Sequence, residues 1–140
     1  MHDVTSGSDS REARTLDDPV MGFELDREVA LLRREPGYRE FGRTSKTLGK
    51  SRNFRLVLTA ARAGIDLGDD DAVAAMAIQV LEGAVTVGRA GGGLRFGAGS
   101  AIWVAEGERW AIRVDEDAAL VLSLGWPGGS PDAPRVEEIR

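Results

Sequence analysis

The sequence predicts an all-β domain, a sandwich or barrel of short strands, with one helix ahead of it. Three observations predict this. From residue 53 onward, apolar residues fall in short runs rich in Val, Ile and Leu. Glycine and aspartate turn signals separate those runs at regular intervals. One earlier stretch, 24–35, carries helical periodicity instead.

Residues 1–20 are polar, of mixed charge and without periodicity, and are expected to form a flexible arm. His2, the single histidine, sits on that arm and reads as a solvated terminal residue. In 24–35 (ELDREVALLRRE), Leu25, Val29 and Leu32 share one helical face. Arg33 and Arg34 suit the negative end of the helix dipole, and Pro36-Gly37 is expected to stop the helix. Its apolar face is expected to pack on the outside of the sheet that follows.

Residues 42–55 carry Arg43, Lys46, Lys50, Arg52 and Arg55 and no acid. Gly49-Lys50-Ser51 suggests a phosphate loop. However, Thr44 stands where that motif needs its first glycine, and a strand rather than a helix is expected next. The basic run reads as solvated surface or as partners for the protein's own acids. The expected strands are 53–61, 73–82, 84–88, 93–97, 101–105, 109–114 and 118–125. Turns are expected at Gly68-Asp69-Asp70, Gly83, Gly91-Gly92-Gly93, Glu106-Gly107 and Asp115-Glu116-Asp117, among others. Residues 127–140 return to Pro, Gly and charge and read as a loose tail. One domain, 21–126 with its core in 53–126, is therefore expected between two flexible ends.

Composition bounds the function. The chain has 140 residues, enough for one domain with a real core, and 42% of them are hydrophobic. It has no cysteine, which excludes disulfides and thiolate metal sites. A net charge of −5 argues against nucleic acid as a partner. No apolar run reaches membrane-spanning length, so a soluble, cytoplasmic protein is expected.

The glycine spacing resembles that of the cupin superfamily. That family's first motif is Gly, five residues, His, one residue, His, three or four residues, Glu, six residues, Gly. Gly64 and Gly83 stand at its two ends, and Gln79-Val80-Leu81-Glu82-Gly83 is typical of its close. The second motif is Gly, five residues, Pro, one residue, Gly, two residues, His, three residues, Asn. Gly99 and Gly107 fit it. The likeness extends upstream through Gly42-Arg43, Lys46-Thr47-Leu48 and Arg55-Leu56-Val57-Leu58, toward small bacterial single-domain cupins. It implies a cupin-type jelly-roll β-barrel with one N-terminal helix.

The resemblance also implies a metal held by three histidines and a glutamate, and here the chain departs from it. Asp70 and Ala72 hold the first two histidine positions, Met76 the glutamate position and Trp110 the last histidine position. Ala105 and Val114 replace the proline and asparagine. One carboxylate does not make a transition-metal site, so no metal and no other cofactor is expected. Strand parity then lines the interior with Met76, Ile78, Val80, Trp110 and Ile112. Two readings stay open. Either these side chains fill the barrel as core, or they wall an apolar pocket in which Trp110 stacks on a small organic ligand.

Other candidates are weaker. Asp69, Asp70 and Asp71 could attract Ca or Mg, but alternate in direction and read as a surface turn. Glu82 and Glu106 are isolated acids that form no acid–base pair. Trp103 and Trp126 read as packing residues. Gln79 is expected to face outward with Ala77 and Leu81. The expected function is a non-metal, non-catalytic cupin that binds a small apolar or aromatic molecule or serves a structural or regulatory role, in a homodimer. The alternatives are a metal-dependent isomerase or dioxygenase using Asp70 with atypical ligands, and an interaction module that presents 43–55 to an acidic partner.

Overall fold

The structure, a computed structural model, describes residues 19–89 and 92–125. His2, Trp126, the tail and all but the last two residues of the expected arm lie outside these. Two helices open the described chain: α1 (Leu25–Arg33) and α2 (Pro36–Phe41). Seven strands follow: β1 (Arg43–Lys50), β2 (Phe54–Ala61), β3 (Asp66–Asp71), β4 (Met76–Arg89), β5 (Gly92–Gly97), β6 (Ala101–Val104) and β7 (Arg109–Gly125). All pair antiparallel, in the order β1-β2-β7-β4-β5, with β3 also on β7 and β6 also on β4.

Two long strands build both walls of the barrel. Residues 76–82 of β4 run beside 119–124 of β7, with β2 beyond β7 and β6 beyond β4. Residues 84–88 of β4 run beside 111–116 of β7, with β3 and β5 outermost. The sequence places turns at Gly83 and at Asp115-Glu116-Asp117; the structure instead carries one strand through each. Both strands bend where the β4–β7 register shifts between Val80 and Val85. Gly83 makes the bend possible. It has φ +81°, and a side chain there would collide with the Asp117 carbonyl oxygen. A bulge of this kind turns a strand without ending its ladder.

Side chains from both walls meet in one apolar cluster. Its most enclosed members are Val57, Ala61, Ile78, Val80, Val85, Ile112, Val114, Ala118 and Leu120. Each large buried side chain contributes about 1.5–3 kcal/mol. A second cluster lies on the outer face, where Val29, Leu32 and Tyr38 of the helices cover Leu48, Leu58, Ala60, Ala119 and Val121. Leu81 packs there too, while Gln79 is exposed. The amphipathic helix thus packs as its periodicity predicts. Pro36 does more than stop it: its fixed φ opens α2 at the first helical position.

Two further stretches are strands. Residues 43–50, read as solvated surface or as partners for the protein's own acids, form β1, in which Thr44, Lys46 and Leu48 are buried in alternation under the helices. Lys46 donates from Nζ to Glu28 Oε1 of α1 at 2.6 Å, and the two side chains are 2% and 0% exposed. Thr44 Oγ1 donates to Glu35. Residues 66–71, read as a turn around Gly68, form β3 against β7, with a bulge between Gly68 and Asp70. Glu82 is not isolated either, because it accepts from Arg33 Nη1 at 2.7 Å. Burial opposes the charge on Arg33. The hydrogen bond and charge of Glu82, with those of Tyr38, outweigh that effect and raise its pKa above the ordinary arginine value.

Candidate functional site

Ala72, Met76 and Trp110 are 6%, 4% and 5% exposed and belong to the interior cluster. Asp70 pairs through its backbone with Trp110, and its side chain lies outside what the structure describes. Ile78, Val80 and Ile112 are buried in the same cluster. The alternation of β4 and β7 therefore directs 76, 78, 80, 110 and 112 to one side.

Trp110 has a specific seat. A Cβ on Gly68 would lie 2.6 Å from its Cζ3, 2.8 Å from Cε3 and 2.9 Å from Cη2. The six-membered ring thus rests directly on the backbone of β3. Gly68 has φ +83°, a conformation that side chains other than glycine's rarely adopt. Chain direction and the absence of a Cβ together make room for the indole.

Next to Trp110 the barrel opens into a cleft of about 390 Å³. One side is β6 with the adjoining Ala105; the other is Val87 and Gly88 of β4 with Leu94 and Phe96 of β5. Trp103, Trp110 and Phe96 supply its aromatic surface, and Glu108 and Arg109 its charged groups. Of the five expected lining residues, Trp110 borders this cleft; Met76, Ile78, Val80 and Ile112 do not. Trp103, expected as a packing residue, is 71% exposed. Ile102 and Val104 point inward on a four-residue strand, so the residue between them must point out.

The residues at the ligand positions do not fit a transition metal. Alanine offers no donor atom, a thioether is a soft and weak ligand, and an indole N–H only donates. Among the described residues, no three His, Cys, Asp or Glu side chains converge as a metal site. Asp71 lies across the β3–β7 ladder from Arg109, with Oδ1 3.9 Å from Nη1. Among the described residues Glu108 is the one acid in the cleft lining, and no pair of carboxyls meets there for acid–base work.

Comparison with known proteins identifies the architecture. No protein-family model matches the chain, and no curated protein does. Solved structures do match. A cupin superfamily protein from Desulfitobacterium hafniense superposes with a TM-score of 0.64 at 12% identity, over 79% of this chain and 95% of that one. A conserved protein of unknown function from Streptococcus pyogenes gives 0.64 at 15% identity, over 81% and 93%. An RmlC-like cupin from Shewanella frigidimarina gives 0.57 at 15% identity, over 65% and 79%. The chain has the cupin fold, an all-β jelly roll behind an N-terminal helical segment. No helix among the described residues is long and apolar enough to cross a membrane.

Proposed function

We propose that this cupin-fold protein binds a small apolar or aromatic molecule in the cleft beside Trp110, without a metal ion and without catalysing its conversion. One observation carries the reading: a space of about 390 Å³ remains next to Trp110, although that residue is itself almost fully buried. Met76, Ile78, Val80 and Ile112 pack in the interior and do not border it, so the space lies at the mouth of a filled barrel. The volume falls in the range of small-molecule sites, about 300–1,000 Å³, and such sites are mostly apolar with a few polar groups. Val87, Leu94, Phe96, Ile102 and Val104 give the apolar surface. The indole of Trp110, fixed against Gly68, borders the cleft, and the exposed indole of Trp103 gives a flat face on which a ring can stack.

The absence of chemistry in this reading comes from the donor set. Ala72, Met76 and Trp110 replace imidazole and carboxylate, and among the described residues the cleft lining holds a single carboxylate. Nitrogen-15 spectra test the binding. Titration with a neutral aromatic such as 2-phenylethanol should shift the indole N–H signals of Trp110 and Trp103 saturably. The reading fails if neither signal moves. A homodimer belongs to the same proposal, supported by β6, a short strand that pairs only with β4 among the described strands and presents Trp103 outward. A monomer by light scattering removes that part.

A further inference from the structure

We infer that the cleft selects an organic ammonium ion with an apolar body. The inference rests on the cleft being a ligand site and concerns the charge of what it takes. Three aromatic side chains, Phe96, Trp103 and Trp110, border one small volume. Aromatic faces carry negative potential and attract cations within about 6 Å, and they discriminate against anions on the same ground.

The charged groups of the cleft point the same way. Glu108 is exposed on the rim, and its carboxylate has no hydrogen bond or ion pair among the described residues. Among the described residues Arg109 is the one cation in the lining, and it already faces the carboxylate of Asp71 across the ladder. An anion placed on Arg109 would approach Glu108 and Asp71 together. A cation placed against the indoles meets Glu108 with no competing partner. The protein as a whole carries a net charge of −5, so its long-range field also draws cations.

The groups divide the ligand into two parts. Its apolar body occupies the space between Val87, Phe96, Ile102 and Val104, and its ammonium lies toward the mouth, between an aromatic face and Glu108. An ammonium keeps its charge there because the rim is open to water, and it donates to the carboxylate directly.

The test compares three isosteric probes by the indole signals of Trp103 and Trp110 at neutral pH: 2-phenylethylamine, 2-phenylethanol and phenylacetate, a cation, a neutral molecule and an anion. The amine should bind about tenfold tighter than the alcohol, and phenylacetate weakest. E108Q should bring the amine's affinity down to that of the alcohol. The glutamine keeps the backbone hydrogen bonds of this position to Ala72 and Ala105 and alters only an exposed side chain, and unchanged indole signals in the free variant verify that the fold is intact. The inference is overturned if the amine binds no tighter than the alcohol, if phenylacetate binds best, or if E108Q leaves the amine's advantage in place. In each of these cases the cleft still binds aromatics, and the proposed function stands. If no probe moves either indole, the proposed function falls and this inference with it.

Discussion

Lys46 and Glu28 form a closed ion pair between β1 and α1, 2.6 Å apart and shielded from water on all sides. Glu28 Oε2 has no hydrogen-bond partner. A buried carboxylate with one oxygen unsatisfied depends heavily on its remaining contact.

Removing one partner should therefore be far more damaging than removing both. K46M leaves a carboxylate buried without its cation and should lower unfolding stability by about 3–5 kcal/mol in urea titration. The double variant K46M/E28L replaces the pair with apolar groups and should recover most of that loss. A single variant within about 1 kcal/mol of the parent would show that water reaches the pair.

The bend at Gly83 gives a second prediction, with an internal control. Gly64 and Gly83 both have positive φ, but a Cβ on Gly64 meets open space and one on Gly83 meets the backbone of Asp117 and Ala118. G64A carries only the backbone strain and should lose about 1–2 kcal/mol. G83A adds a collision that β7 cannot avoid without losing its ladder, and it should unfold the barrel or come close to doing so. Equal melting temperatures for the two variants would contradict the bend described for β4.

The donor set predicts indifference to metal. Elemental analysis of purified protein should find no stoichiometric Fe, Mn, Ni or Zn, and chelator should leave the melting temperature unchanged. A site held by three or more protein ligands would stabilise the fold through binding, by about 2.7 kcal/mol when metal is at a hundredfold its dissociation constant. A tightly held ion at one per chain would overturn the non-metal reading.

Much of the architecture is legible in the residues. The glycines at 64, 83, 99 and 107 stand at cupin spacing, and the short Val, Ile and Leu runs announce strands. β1 was hidden by Lys46. Thr44, Lys46 and Leu48 alternate as a half-buried strand should, yet a lysine in such a row reads as surface unless its buried carboxylate is known, and that carboxylate lies on another element. β3 was hidden by Gly68 and three successive aspartates, a composition that favours turns when no partner strand is visible. The bend residues misled for the opposite reason, because glycine and acids mark a turn locally while β4 and β7 hold each other extended. The cleft was the least legible feature. Its sides come from β4, β5 and β6, which meet only through topology, although the parity of Ile102 and Val104 about Trp103 was a usable signal.

Gly68 links this fold to the proposed binding. A methyl at Gly68 would press on the six-membered ring of Trp110 from the β3 side, and the ring could move only away from β3. The indole would then leave its seat and disturb the cleft wall. G68A should therefore show two effects together. Backbone strain and overpacking should lower stability by about 1–3 kcal/mol, and the near-ultraviolet dichroism of the tryptophans should change. Binding of a neutral aromatic should weaken severalfold in the same variant. A destabilisation matched by a change in the outer cluster such as L58V, a cluster that does not include Trp110, should leave the dichroism and the affinity largely intact. If G68A lowers stability but keeps both signals, Trp110 is held by its other neighbours, and the backbone seat on β3 is not what fixes it.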